Sequence, residues 1–360
     1  MTINSQPPAA ADGPEPRPRR RARILVATLG WGLCTLAWLY VALIHWGARP
    51  FIVDLMADFA LHMGALLVVL GGLLLCLRPR APGVVLALAG AVLLIECRMA
   101  IHAPVSGAAP AGSASLKLVH YNCYGQITIN DDAFMRWLEA EDPDIVSLVD
   151  PPLGLAAAQP WLVKKYPYRV EPAPGAEWDV VLLSRIPMEL AKLRRDDDPN
   201  FVFSFLARRG VLLHVPGGPT LLWSAMHPQS PRTSAHWRDS INVVKRDAPL
   251  IAEYLAAGRG PVLITGDFNS APTGIVHQTF RAISGLTPWG NCWPAGTWPS
   301  QLTPWFAIPI DRLWSSPGVV CRSWRVGPRF RSDHLPLIAE FSLPPPEQTP
   351  APQTPPNPHS

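Results

Sequence analysis

The chain has 360 residues, 48% hydrophobic and 16% charged, with six cysteines. Charged content well below the roughly 25% of ordinary soluble proteins excludes a charged disordered chain and suggests a part that lives in lipid, and the cysteines are too few for a disulfide-dense scaffold. The formal charge of +4 falls wholly in residues 1–102, with 9 Lys+Arg against 5 Asp+Glu; residues 103–360 are balanced at 22 each, which excludes nucleic-acid binding by bulk positive charge.

Residues 1–22 are rich in Pro, Ala and Arg without apolar periodicity and are expected to be a disordered basic tail. Arg17, Arg19, Arg20, Arg21 and Arg23 then lead into an uncharged run of 23 residues, Ile24–Trp46. At ~1.5 Å per residue such a helix rises about 34 Å, enough for a bilayer core of ~30 Å. It is too long for a signal core, lacks a small-x-small cleavage site and is followed by further apolar runs, so it reads as an anchor. A second uncharged run spans Phe59–Leu77, and a third, Pro82–Ile95, is only 14 residues long. The third crosses only if Glu96 and Arg98 snorkel and the helix continues through Ile101. The expected spans are therefore 24–46, 59–77 and 82–101. Arginine placement puts the N-terminus in the cytoplasm and everything after residue 103 outside, a topology that rests on the third run. His45, Asp54, Asp58 and His62 lie in or near the spans and read as interfacial polar groups. Residues 103–115, small and flexible, read as a linker.

From Leu116 the texture changes. Strands are expected at Leu116–Asn122, Asp144–Asp150, Asp179–Ser184, Phe201–Leu206, Gly210–Val215, Leu221–His227, Val262–Thr265, Ile310–Trp314 and Leu335–Phe341. Helical spacing occupies Asp131–Glu141, with Asp131 or Asp132 as cap, and recurs at Ser234–Ala256 and Thr273–Ile283. Strands come in runs, which suggests an α+β domain over 116–343 with antiparallel sheets packed face to face and helices outside. Residues 344–360 are Pro-rich and expected to be disordered.

Polar residues gather where the expected strands stop: Asn122, Asp150, His227, Asp267 with Asn269, Asp311, and Asp333 with His334. Converging at one rim, this set suits a hard divalent cation held by oxygens, with imidazoles to move or donate protons. Singly, each Asp would be a turn or cap residue and each His structural; the joint occurrence carries the reading.

Gly266-Asp267-Phe268-Asn269 after an apolar strand, and Ser332-Asp333-His334 before Leu335-Pro336, resemble signatures of the endonuclease/exonuclease/phosphatase family, whose fold is that of deoxyribonuclease I. Ile310-Asp311-Arg312-Leu313, Leu118–Asn122 and Ala225–Pro228 resemble other segments of that family, so the likeness runs from about 116 to 343. It implies a four-layered α/β sandwich, preceded here by a bundle of three transmembrane helices. It also implies a divalent metal, most often magnesium with manganese as the alternative, and hydrolysis of phosphate esters. Carried over, Asn122, Asp150 and Asp333 stand at the metal. Asp267 holds or deprotonates the attacking water, Asn269 orients it or the phosphate, and Asp311 fixes His334. His334 and His227 then donate to the phosphoryl oxygens, stabilising the negative charge of an in-line attack without a covalent intermediate. The chain departs from the family at Val149-Asp150, where Gln-Glu is usual; Asp is one methylene shorter.

Trp289, Trp293, Trp298 and Trp305 crowd the segment before Asp311 and fit a substrate wall, a membrane-interface contact or plain loop packing. Cys292 and Cys321 allow a disulfide, and Cys123 reads as a buried small residue. There is no Gly-x-Ser-x-Gly, His-Glu-x-x-His, Cys-x-x-Cys or phosphate-binding loop. The expectation is a multi-pass, membrane-anchored phosphoric ester hydrolase whose substrate is a nucleic acid, a phospholipid or a small phosphate ester. Its partner is the lipid bilayer, with no protein partner expected. The alternative is a catalytically weakened tethered module that binds a phosphate-bearing ligand.

Overall fold

The computed structural model describes residues 17–47, 49–125, 131–152, 159–171, 180–191, 193 and 209–345. The expected strand Phe201–Leu206, Asp179 and most of both expected tails lie outside these. The chain divides into two compact units, Met1–Arg49 with Ala60–Ile95, and Pro50–Phe59 with Glu96–Ser360.

In the first unit the apolar runs form helices α1 (Arg17–Ile44), α3 (Ala60–Leu75) and most of α4 (Ala81–Met99). Helix α1 starts inside the segment expected to be disordered, a correction with a plain cause: arginine is a good helix former and continues the apolar helix backwards. Two helices, α1 and α4, are each long and apolar enough to cross a membrane, and the count reaches the expected three only if Phe51–Ala57 and α3, bent by 63°, are taken together as one span. The short one is the second, at 16 residues; the third run, expected to be the weakest, gives a 19-residue helix. Helices α3 and α4 meet along small residues. A Cβ at Gly71 would run into Gly83 and Ala87, and one at Gly90 into the backbone of Gly64 and Val68, the close approach typical of helices that pack without a hydrophobic drive. Outward-facing Leu36, Val69, Leu73 and Leu88 remain exposed.

The second unit holds α2 (Phe51–Ala57), absent from the sequence reading, and then the sandwich. Its elements are β1 (Ala114–Asn122), α5 (Asp132–Glu141), β2 (Ile145–Val149), α6 (Pro160–Lys165), β3 (Tyr168–Val170), β4 (Val180–Ser184), β5 (Met188–Leu190), β6 (Val211–His214) and β7 (Thr220–Met226). There follow α7 (Ser234–Ala256), β8 (Val262–Asp267), α8 (Ile275–Ser284), β9 (Thr287–Trp289), β10 (Asp311–Ser315), β11 (Val320–Val326) and β12 (Leu337–Leu343). The expected linker is partly structured: β1 begins at Ala114, and the amides of His102 and Val105 donate to Pro288 O and Cys321 O.

Two six-stranded sheets run β11-β12-β1-β2-β4-β3 and β5-β6-β7-β8-β10-β9. Alternation along each strand sends one set of side chains between the sheets, among them Leu118, Val149, Leu182, Trp223, Leu263 and Leu313. The other set meets helices. Val119, Tyr121 and Leu148 pack on Phe134 and Leu138 of α5 and on Leu162 of α6; Leu222, Ile264 and Trp314 pack on α7 and α8. Both faces of each sheet are thus buried, giving four layers, and a buried Leu or Phe contributes about 1.5–3 kcal/mol. Helix α5 starts where Asp131 Oδ1 accepts from the Ala133 and Phe134 amides, and α7 where Thr233 accepts from His236 N.

One buried group opposes this economy. His277 of α8 is fully buried against the Trp314 ring, at 4.5 Å between centroids, and neither ring nitrogen has a hydrogen-bond partner among the described residues. Burial, reinforced by Arg312 and Arg281, holds its pKa well below the ordinary histidine value. The folded state therefore stays neutral while the unfolded chain takes up a proton near pH ~6.5, so stability is full above that pH and falls as the pH drops, by up to about 1.4 kcal/mol per unit. Replacing His277→Leu is expected to flatten this slope below pH ~6.5 and to leave stability at pH 8 equal or higher. Urea unfolding at several pH values measures both.

Candidate active site

Antiparallel pairing corrects one premise of the sequence reading. Asp311 opens β10 rather than ending a strand, and Asp333 with His334 precedes β12. They reach the rim because β10 runs antiparallel to β8, with Asp311 paired to Asp267, and β12 runs antiparallel to β1, with Leu337 paired to His120. Strand beginnings here meet strand ends.

Gly266 makes the centre possible. Its φ is +155° and a Cβ would overlap the Met226 carbonyl, so only glycine lets β8 run this close to β7 just before Asp267. Asp267 is buried; its Oδ1 accepts from the Asn269 amide at 2.8 Å and its Oδ2 from Asn122 Nδ2 at 2.9 Å. His334 Nδ1 lies 2.8 Å from Asp311 Oδ2, and its Nε2 lies 3.6 Å from Asp267 Oδ2. His227 Nε2 approaches the same oxygen at 3.8 Å, while its Nδ1 lies 3.9 Å from Asp150 Oδ1. Asn269, at φ +48°, donates from Nδ2 to Pro228 O at 3.0 Å. Trp298 Nε1 donates to Asp333 Oδ2 at 3.0 Å. All eight sequence-predicted site residues gather here, and all but Asp311, which sits behind His334, line one cavity of about 640 Å³.

The electrostatics follow from burial and pairing. Burial raises the Asp267 carboxyl; the Asp311 charge adds to this, and His334 and His227 only partly oppose it. For Asp311 burial acts upward too, but the His334 charge and the hydrogen bonds from His120 and His334 outweigh it and hold the group well below the usual range. Burial pulls His334 down, yet Asp311 and Asp267 overcome it and push the ring up to about 9, so it is an imidazolium at neutral pH.

Asp267, Asp311 and His334 bring donor atoms within 4.8 Å of one another, a spacing a metal would accept. With the His334 ring pushed up to about 9, it would have to give up a proton before serving as a ligand. The oxygen set on the cavity side is Asn122, Asp150 and Asp333. Asp333 Oδ1 is buried without a hydrogen-bond partner among the described residues. Asp150 leaves β2 in a left-handed conformation, φ +45°, which Asp tolerates better than most residues.

Sequence reasoning missed three features. His120, buried in β1, reaches Asp311 Oδ1 at 3.3 Å and Ser147 Oγ at 3.1 Å, and Thr265 donates to Ser147 at 2.9 Å. An imidazole on the inward face of an apolar strand was the available signal. Second, of the four tryptophans only Trp298 borders the cavity; Trp289 is buried with Nε1 on Ser315, and Trp293 packs edge-on to Trp305. Third, α2 belongs to this unit, and its Asp54 and Asp58 are docking groups rather than interfacial ones. Asp54 accepts from Trp237 Nε1 and from Ile275 N, both at 2.8 Å, and Asp58 accepts from Ala271 N at 2.8 Å. Thr273 Oγ1 donates to Ala57 O at 2.6 Å. The Asp54 carboxylate thereby sits at the positive end of α8. The cysteines are all free, Cys292 and Cys321 included, and burial pushes the Cys123 thiol well up, as suits an inert core residue.

The endonuclease/exonuclease/phosphatase family model matches residues 119–334, which include His120 and all eight sequence-predicted site residues but not Asp54 or Asp58. The chain belongs to the endonuclease/exonuclease/phosphatase family. Among solved structures it is similar to an endonuclease/exonuclease/phosphatase from Beutenbergia cavernae, at 18% identity, covering 64% of this chain and 72% of that one with a TM-score of 0.45. It is also similar to truncated Caenorhabditis elegans TDP2, at 16% identity over 63% and 97% with a TM-score of 0.46. A Bacteroides thetaiotaomicron family member gives 14% identity over 64% and 99%, also at 0.46. No curated protein matches the chain.

Removing the Asp54 carboxylate leaves two donors without their acceptor, at about 1–3 kcal/mol for each one that stays buried. Asp54→Ala is expected to lower the stability of the sandwich unit by that order in urea unfolding followed by tryptophan fluorescence. Exposed Asp132→Ala, at the start of α5, should change it by less than about 0.5 kcal/mol.

Proposed function

We propose that the protein is a membrane-anchored, divalent-metal-dependent phosphoric ester hydrolase that uses water directly as nucleophile. The observation that carries this reading is the meeting of a buried, raised-pKa carboxylate and two imidazoles at one cavity floor. Asp267 accepts the proton of the attacking water, its affinity for that proton increased by burial and by Asp311. Asn269, anchored on Pro228 O, orients the water or a phosphoryl oxygen. Asp311 keeps the His334 Nδ1 proton in place, so that Nε2 presents its N–H to the cavity. His227 offers a second donor from the opposite wall.

The donor chemistry of Asn122, Asp150 and Asp333 fits a hard divalent cation: three oxygen-bearing side chains border the cavity, and one carboxylate oxygen is buried without a hydrogen-bond partner among the described residues. Magnesium is the expected ion, with manganese as the alternative. When bound, it would supply positive charge to the phosphoryl oxygens as negative charge accumulates on them.

The proposed side of the membrane is supported by a parity argument. Segment 50–59 and the chain from residue 96 onward belong to one compact unit joined by the four α2 hydrogen bonds. They must share a side, so an even number of crossings separates them. Helix α4 has the length and apolarity of a span, so on this reading α3 crosses as well, its ~24 Å extended by Cys76 and Leu77 and by local bilayer thinning. The glycine contacts between α3 and α4 support this pairing. With the basic residues before α1 held in the cytoplasm, the catalytic unit lies outside.

Full-length protein in nanodiscs is expected to hydrolyse bis(p-nitrophenyl) phosphate with magnesium and to stop on chelation. Asp267→Asn and His334→Gln should each cost at least about 100-fold in kcat. A parent inert with magnesium and manganese would favour the binding module instead. A C-terminal alkaline phosphatase fusion should be active, and one after residue 78 inactive; the reverse pattern defeats the topology.

A further inference from the structure

The polar floor occupies only part of the cavity. Beyond it the lining mixes polar groups such as Gln229 and Arg232 with an apolar set, Leu55, Phe59, Pro231, Trp298, Ile308 and Ile310. A phosphoryl group needs none of these, and about 640 Å³ is room for a molecule of drug or lipid-headgroup size. Two of these side chains come from segment 50–59, held by Asp54 and Asp58. The hold is close: a Cβ at Gly274, the residue before α8, would crowd the Asp58 carboxylate and the Ser270 hydroxyl. Phe59 nonetheless stays 50% exposed. A fixed scaffold thus presents apolar surface to a site whose chemistry is ionic, and apolar surface is stabilised only when something apolar covers it.

The charge of the walls narrows the choice. Among the described lining residues Arg232 is the one Lys or Arg. A nucleic acid strand draws its affinity from several phosphate contacts at once, and beside the histidines of the lining there is no second Lys or Arg among the described residues to supply them. Resting on the hydrolase reading above, we propose that the substrate is an amphiphilic phosphate ester. Its phosphate lies on the polar floor, and its alkyl portion runs along Leu55 and Phe59, which make the connection between the first two apolar helices a specificity wall of the site.

The test uses full-length protein in nanodiscs, with butyl and octyl phosphate as calorimetric probes below their aggregation concentrations. Each methylene removed from water is worth about fourfold in affinity. With part of the longer chain covered, octyl phosphate should bind at least about tenfold tighter than butyl phosphate. The double variant Leu55→Asn/Phe59→Ser should reduce that ratio below about threefold, weakening octyl phosphate binding far more than butyl phosphate binding. Phe59→Ser alone, at an exposed position that does not threaten folding, should give an intermediate ratio, and Leu55→Met should preserve the parent value. Partition into the bilayer is common to all samples and cancels between parent and variant. Equal binding of the two probes by the parent, an unchanged ratio in the variants, or displacement of octyl phosphate by an oligonucleotide at lower concentration overturns the proposal. Hydrolysis separates this from the reading beneath it. A parent that shows the chain-length preference but cleaves no ester sinks the hydrolase assignment alone. One that cleaves methyl and octyl p-nitrophenyl phosphate equally well sinks the amphiphile alone.

Discussion

Two carboxylates buried opposite one another, Asp267 and Asp311, are the constraint around which the rim is arranged. They face each other in register across β8 and β10, each almost wholly out of water. Removing an unpaired charge from water costs several kcal/mol even after relaxation. Two of like sign at this spacing persist only with a cation between them, and His334 supplies it, bonded to Asp311 and close to Asp267. The second imidazole on Asp311, that of His120, continues the polar chain inward through Ser147 to Thr265. Fold and chemistry share this arrangement: the pairing that makes the burial tolerable also leaves a protonated ring and a poorly acidic carboxylate at the cavity floor.

Much of this was legible because it is local. The periods of two and 3.6 residues marked β1, β2, β8 and α7 closely, and the short runs around Asp267 and His334 carried the family likeness. What escaped depends on distant partners. Strands β3, β5 and β9 have three residues each, too few for an alternation to register. Asp311 stood at the start of its expected strand, Ile310–Trp314, and what sequence does not reveal is that β10 runs antiparallel to β8 and so brings that start to the rim. His120 was hidden for a related reason: one polar residue in an apolar strand becomes informative only when its facing sheet offers Asp311.

Helix α2 shows the same limit most sharply. Seven residues between two apolar runs look like a loop, and Asp54 and Asp58 look like interfacial acids that keep a helix end in water. Their spacing of four puts both on one helical face, and that face meets the backbone amides ahead of α8 and the indole of Trp237. Nothing in the sequence near residue 54 points to residues 237–275. The apparent linker and the apparent membrane loop both turn out to hold hydrogen bonds to the sandwich.

This has a consequence for where the domain ends. A boundary drawn at residue 103 or 116 follows the change in composition and removes α2 together with three residues of the cavity wall, Leu55, Asp58 and Phe59. The sheets would keep their cores, which α2 does not enter. The loop from Ala271 to Ile275, however, would lose the acceptors of two amides and the partner of one hydroxyl. That loop follows Asn269 directly, and Asn269 bonds to Asp267 through its own amide. A truncated domain would therefore keep its sheets while loosening the backbone that joins Asn269 to Asp267. The apolar region is then not separable from the sandwich, because the segment joining two of its helices borders the same cavity as the polar rim.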